Sequence, residues 1–152
     1  MDRAKSIDVL NTLLEINNDR SQGYQAAILE TEDYDLKVLL SEFQQTSEKC
    51  MAKLRAEVLR FGGVPFSGTD IASKIHRTWM DLKAAVTGNE RVAILDSCAY
   101  GDSIAIDTYN TVIENNLEDL NAEDRALLVE QCFLIRADKA KVTALRNLFI
   151  GE

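Results

Sequence analysis

A single proline, Pro65, interrupts a chain in which apolar residues recur at steps of three and four almost from end to end. That spacing marks one face of an α-helix, and nothing in the sequence alternates apolar and polar over a strand length with hairpin turns beside it. The pattern predicts long helices and no sheet. With 152 residues and 46% hydrophobic content, the chain reads as one domain over residues 1–152 that buries a core of its own.

Helix 1 is predicted over about residues 3–29, with Ile7, Leu10, Leu14, Asn17, Ser21, Tyr24 and Ile28 along its seam. Thr31 is placed to cap helix 2, whose seam is Leu36, Leu40, Phe43, Ser47, Cys50, Leu54, Glu57 and Phe61. "GGVP" stops it, because Gly62 or Gly63 supplies a left-handed cap and Pro65 forbids continuation. From Phe66 to Gly88 the connection holds a shorter helix of its own, with Ile71, Ile75, Trp79, Leu82 and Val86 on one narrow face, which reads as a crossover. Asn89 is placed to cap helix 3, along Val92, Leu95, Ala99, Asp102, Ile106, Tyr109 and Ile113. Asn121 is placed to cap helix 4, with Asp124 in position to reciprocate, and the seam is Leu128, Gln131, Ile135, Asp138, Val142, Leu145 and Phe149. Four long helices with one long crossover after the second predict an all-α, ferritin-like four-helix bundle.

The formal charge of −8 argues against nucleic acid and against an anionic membrane surface, since phosphate binding needs a basic face that releases counterions. No apolar run approaches the length of a membrane span, and "MDRAKSIDVL" lacks the apolar core of a secretory signal, so a cytoplasmic location is expected. Cys50, Cys98 and Cys132 are odd in number and far apart, which fits reduced, buried thiols rather than disulfides or a zinc site. His76 is a lone histidine beside Ile75 and Trp79, a setting in which histidine packs or caps. No phosphate-binding loop, nucleophilic triad or nucleotide motif is present.

The polar members of the four seams fall near the helix middles: Asn17 and Ser21, Ser47 and Cys50, Asp102, then Gln131 and Asp138. In any antiparallel or mixed bundle those middles share a layer. Di-metal carboxylate bundles use that layer for a Glu from each of two helices and a Glu-x-x-His from each of the other two. Laid over this chain, Asn17, Ser47 with Cys50, Asp102, and Ile135 with Asp138 occupy those positions, so only Asp102 and Asp138 are carboxylates. A standard oxidase or ferroxidase site is not expected. Three alternatives remain: a buried polar cluster joining Asp102 and Asp138 to Asn17, Gln131 and the hydroxyl of Tyr24 or Tyr109, a weak hydrated site there for iron, manganese or a small anion, or a helix phase that leaves one of the two aspartates exposed.

"LNTLLEINNDRSQGYQAA", "FGGVPFSG", "KIHRTWMDLKAAVTG", "AILDSCAYGDSIAIDTY" and "IRADKAKVTALRNL" resemble a bacterial family of ferritin-like four-helix proteins known only as a domain of unknown function. The most specific pieces are Asp19 and Gly23-Tyr24, the Gly-Gly-x-Pro stop, His76-Arg77-x-Trp79 and Gly101-Asp102, where the family tends to have Gly-Glu. Ala137-Asp138 stands where members tend to have His-Asp, which removes a potential ligand. The resemblance implies a homo-oligomeric, cytosolic and stress-associated bundle. Read together, the residues and the resemblance favour a non-catalytic protein acting by association with itself, as a dimer, or with another protein, and no cofactor. The alternative is a metal-binding protein or oxidoreductase with a degenerate carboxylate site. A third reading places a small apolar ligand between the helices, where Ser21, Ser47, Cys50 and Ala99 thin the packing. The outer line Leu13, Ile16, Leu39, Ile94 and Leu134 either completes the core or forms a dimer seam.

Overall fold

A computed structural model describes residues 2–68 and 90–151. Among them are four long helices, α1 (Arg3–Glu30), α2 (Tyr34–Arg60), α3 (Glu90–Asn115) and α4 (Ala122–Ile150), with a 3₁₀ turn at Leu117–Asp119 and no strand. The four are 26 to 29 residues long, so each spans about 40 Å and their middles fall at one height. The expected crossover helix, with His76 and Trp79, and the Asn89 cap lie outside the described residues.

Capping chemistry sets the helix ends. Asp2 opens α1, its carboxylate accepting from the amides of Ala4 and Lys5. Asp33, not Thr31, caps α2: its carboxylate takes the Leu36 amide, while the Thr31 hydroxyl accepts the Asp33 amide ahead of the helix. At the far end Gly62 adopts φ +79°, and the amides of Gly62 and Gly63 close on the carbonyls of Leu59 and Val58, a left-handed stop only glycine enters cheaply. Asn121 caps α4 through the Asp124 amide at 2.8 Å, but the reciprocal half of that cap is missing because neither Asp124 oxygen has a hydrogen-bond partner.

The direction of each helix follows from who meets whom. Arg20 meets Phe43 and Asn17 meets Ser47, so α2 descends as α1 rises; Tyr24 meets Asp102 and Asn17 meets Tyr109, so α3 descends too. Arg146 with Asp96 and Arg136 with Asn110 turn α4 upward again. Accordingly α2 and α3 run parallel, and α2 closes at the end where α1 begins. There the chain doubles back along α1: the Asn11 side chain donates to the Val64 carbonyl and accepts the Phe66 amide at 2.8 Å. A Cβ on Gly63 would stand 2.8 Å from Ile7, so the return depends on glycine at that point. The opening of α3 lies at the opposite end, where Arg91 faces Asp33 and stacks on Phe149.

The seams read from the sequence face inward, and Leu13, Ile16 and Ile94 join the core as well. Leu39 is half-buried, so of that outer line only Leu134 is exposed. The apolar core comes in two parts. One runs from Leu10 and Leu54 to Leu128 and Ile135, the other from Leu36, Leu40 and Leu95 to Val142. Between them lies a polar layer.

Candidate functional site at mid-bundle

Arg20 is the centre of that layer and is 1% exposed. Its Nε donates to Asp102 Oδ1 at 2.7 Å and its Nη2 to Asp138 Oδ2 at 3.0 Å, while Nη1 donates to both the Phe43 carbonyl and Ser47 Oγ at 2.9 Å. A guanidinium presents its donors in a rigid planar fork, which lets one side chain on α1 bond groups of α2, α3 and α4 at once. The Tyr24 ring lies 4.8 Å from the guanidinium carbon, and its hydroxyl donates to Asp102 Oδ2 at 2.8 Å.

A neutral chain continues the network. Ser47 donates to Asn17 Oδ1, Asn17 Nδ2 donates to the Leu13 carbonyl and the Tyr109 hydroxyl, and Tyr109 donates to Gln131 Oε1 at 2.7 Å. Gln131 Nε2 closes the chain on the Cys50 carbonyl. Each hydroxyl along it both accepts and donates, so the bonds point in one direction and polarise one another.

Protonation is held fixed by this arrangement. Burial alone would lower the Arg20 pKa, but Asp102, Tyr24 and Asp138 outweigh it and keep the guanidinium charged. Burial pushes the Asp102 carboxyl up from its ordinary value, opposed by Arg20 and by the Tyr24 hydrogen bond. Burial raises the phenols of Tyr24 and Tyr109 well above their usual range, so both stay donors. All three thiols are free and buried and are shifted upward by burial, Cys50 to about 11. None is the thiolate that a reactive cysteine requires near neutral pH.

Asp102 and Asp138, the two carboxylates singled out in the sequence, are thus brought together, and Asn17, Ser47 and Gln131 join them. Ser21 is buried but turns to α2, donating to Glu48 at 2.8 Å and accepting from Gln44. Cys50 contributes its carbonyl rather than its thiol. The middle, where Ser21, Ser47, Cys50 and Ala99 point to thin packing, is filled by Arg20, Tyr24 and Tyr109, among the largest fully buried side chains. Arg20 itself was missed, because the seam was stepped from Asn17 by four to Ser21. The signal was there: Arg20 stands three after Asn17 and four before Tyr24, on the same inward face, and two buried aspartates demand a cation. Two carboxylates already bonded to a guanidinium do not fit a di-metal centre, and no cluster of three or more His, Cys, Asp or Glu side chains suited to a metal occurs among the described residues.

The family model described as "Domain of unknown function (DUF2383)" matches residues 5–115 of the chain. The chain belongs to the DUF2383 family. The DUF2383 match takes in Asn17, Arg20, Tyr24, Ser47, Asp102 and Tyr109, and it ends before the α4 members Gln131 and Asp138. No curated protein matches the chain. No helix among the described residues is long and apolar enough to cross a membrane.

Proposed function

We propose that this protein is a non-catalytic, ferritin-like bundle that acts by association, and that a guanidinium stands in the layer where di-metal bundles hold their cations. The observation that carries this reading is Arg20 bonded to both Asp102 and Asp138. A divalent cation at these carboxylates would have to displace a guanidinium that is already bonded through all three nitrogens, and would gain two hard ligands in exchange. The upward-shifted thiols and phenols leave no activated nucleophile in the layer.

The parallel course of α2 and α3 and the pairing of α1 with α3 support ferritin-like connectivity with a crossover between Phe66 and Gly88. A net charge of −8 argues against nucleic acid and an anionic membrane, which leaves a protein in the cytoplasm as the partner of this reading. One observation favours a second reading, metal binding by Asp102 and Asp138 with iron or manganese. The Asp138 side chain is 11% exposed, and the layer holds two carboxylates to one guanidinium.

Metal content by mass spectrometry separates the two, on protein purified without chelator and resupplied with iron, manganese or zinc, beside the Asp102→Ala/Asp138→Ala variant. The expected result is no stoichiometric metal in either protein. Stoichiometric metal in the parent that disappears in the variant would overturn the first reading in favour of the second.

A further inference from the structure

The outward face of α4 carries an apolar line. Val129, Phe133 and Leu148 are 54%, 69% and 63% exposed, and Ala137, Ala140 and Ala144 continue the same line. Starting from Ala126, the steps are three, four, four, three, four, four, so Ala126, Ala137 and Leu148 repeat at an interval of eleven. An eleven-residue repeat averages about 3.67 residues per turn, close to the helix's own period, so a nearly straight helix keeps the whole line on one face. Apolar side chains so aligned and left in water mark a contact surface.

The order of sizes along the line selects the occupant. Bulky Val129 and Phe133 lie in the N-terminal half, small Ala137, Ala140 and Ala144 in the C-terminal half, and Leu148 ends the line that Ala126 begins. A second α4 laid antiparallel, with the twofold axis at Ala137, sets Val129 and Phe133 against the partner's Ala144 and Ala140, and Leu148 against the partner's Ala126. Parallel pairing would set Phe133 on itself and leave the alanines facing one another across a gap. On one flank charge agrees with the antiparallel arrangement. Exposed Glu130 and Lys141 flank the line on one side, and in an antiparallel pair like flanks meet. Glu130 then stands about 4.5 Å along the axis from the partner's Lys141, twice over.

We infer that the outer face of α4 is a self-association surface, which pairs antiparallel with α4 of a second copy of this chain. The inference deepens the association reading above and rests on it. A seam about 33 Å long buries on the order of 1,000 Å² in total, the low end for a specific interface, which suits a weak, reversible dimer.

Sedimentation velocity over a concentration series through the micromolar range tests the pairing. The parent chain is expected to pass from monomer to dimer. Phe133→Glu, at a site exposed in the monomer, should weaken the dimer at least about tenfold while leaving the helical circular dichroism and thermal unfolding of the monomer unchanged. Glu130→Lys should weaken it several-fold, and Glu130→Lys/Lys141→Glu should restore it, because the swapped pairs face each other only when the helices are antiparallel. A parent that stays monomeric throughout overturns the inference. A dimer indifferent to Phe133→Glu overturns the α4 surface while leaving association itself standing. A dimer that the double swap fails to restore overturns the antiparallel pairing.

Discussion

Among the described residues, two pairs of carboxyl groups can be set side by side, and only one of them has a cation between its members. At mid-height Asp102 of α3 and Asp138 of α4 share Arg20. At the lower end Asp124 of α4 lies against Glu57 of α2, with neither Asp124 oxygen hydrogen-bonded, and Arg60 reaches Glu57 from a half-exposed position on the same helix. Burial, then the neighbouring Glu57 charge, pushes the Asp124 carboxyl up to about 6. Two carboxyl groups bond each other only when one keeps a proton. The charged guanidinium therefore ties α1, α2, α3 and α4 together, whereas the α2–α4 contact, the thinnest of the four lateral ones, gains its tie only in mild acid.

The sharpest way to break this contrast is Arg20→Met. Removing the shared cation strands two buried carboxylates and should cost about 3–5 kcal/mol in urea unfolding at neutral pH. Adding Asp102→Asn and Asp138→Asn to the same chain should return most of that loss, because no buried charge is left unpaired. An Arg20→Met protein as stable as the parent would show that the guanidinium is not the clamp.

A smaller effect is expected on the neutral side of the layer. Tyr109→Phe leaves Gln131 Oε1 without its donor and Asn17 Nδ2 without one of its two acceptors. The same unfolding measurement should register a loss of about 1–3 kcal/mol.

The smallest effect is at the lower pair and changes with pH. In the fold Asp124 keeps its proton to about 6, above the ordinary aspartate value of 3.8. Between those values the native state binds more protons than the unfolded chain, so stability falls as pH rises through that window and is level above it. Asp124→Asn should flatten the profile and gain about 1 kcal/mol at neutral pH, discounted for the solvent that screens Glu57. A variant whose unfolding profile keeps the parent's slope between those values would remove Asp124 from the account.

How far these features can be read from the sequence depends on how local their causes are. The seams through Leu10, Leu54, Leu95 and Leu128, the glycine stop at Gly62 and the Asn121 cap each follow from residues within a turn or two of one another, and each is found as expected. Thr31 and Asp33 offer the same capping chemistry two positions apart, and only the backbone turn between them decides for Asp33. The polar layer was legible through Asn17, Ser47, Asp102, Gln131 and Asp138 because they interrupt apolar seams. Arg20 carries a weaker signal in its spacing from Asn17 and Tyr24, because an arginine reads as solvent-facing until the aspartates opposite it, more than eighty positions away, are brought near. The Glu57–Asp124 pair is also far apart in sequence and leaves no local trace.

The asymmetry of the polar layer has a bearing on which bundle forms at all. Leucine-rich seams are indifferent to sliding by one turn of about 5.4 Å. Arg20 is not indifferent, because it finds Asp102 and Asp138 only when α3 and α4 stand at this height beside α1. A slipped arrangement would bury the same leucines and also an unmatched charge. The layer works as a key for register, separating the native alignment of the helices from its slipped competitors.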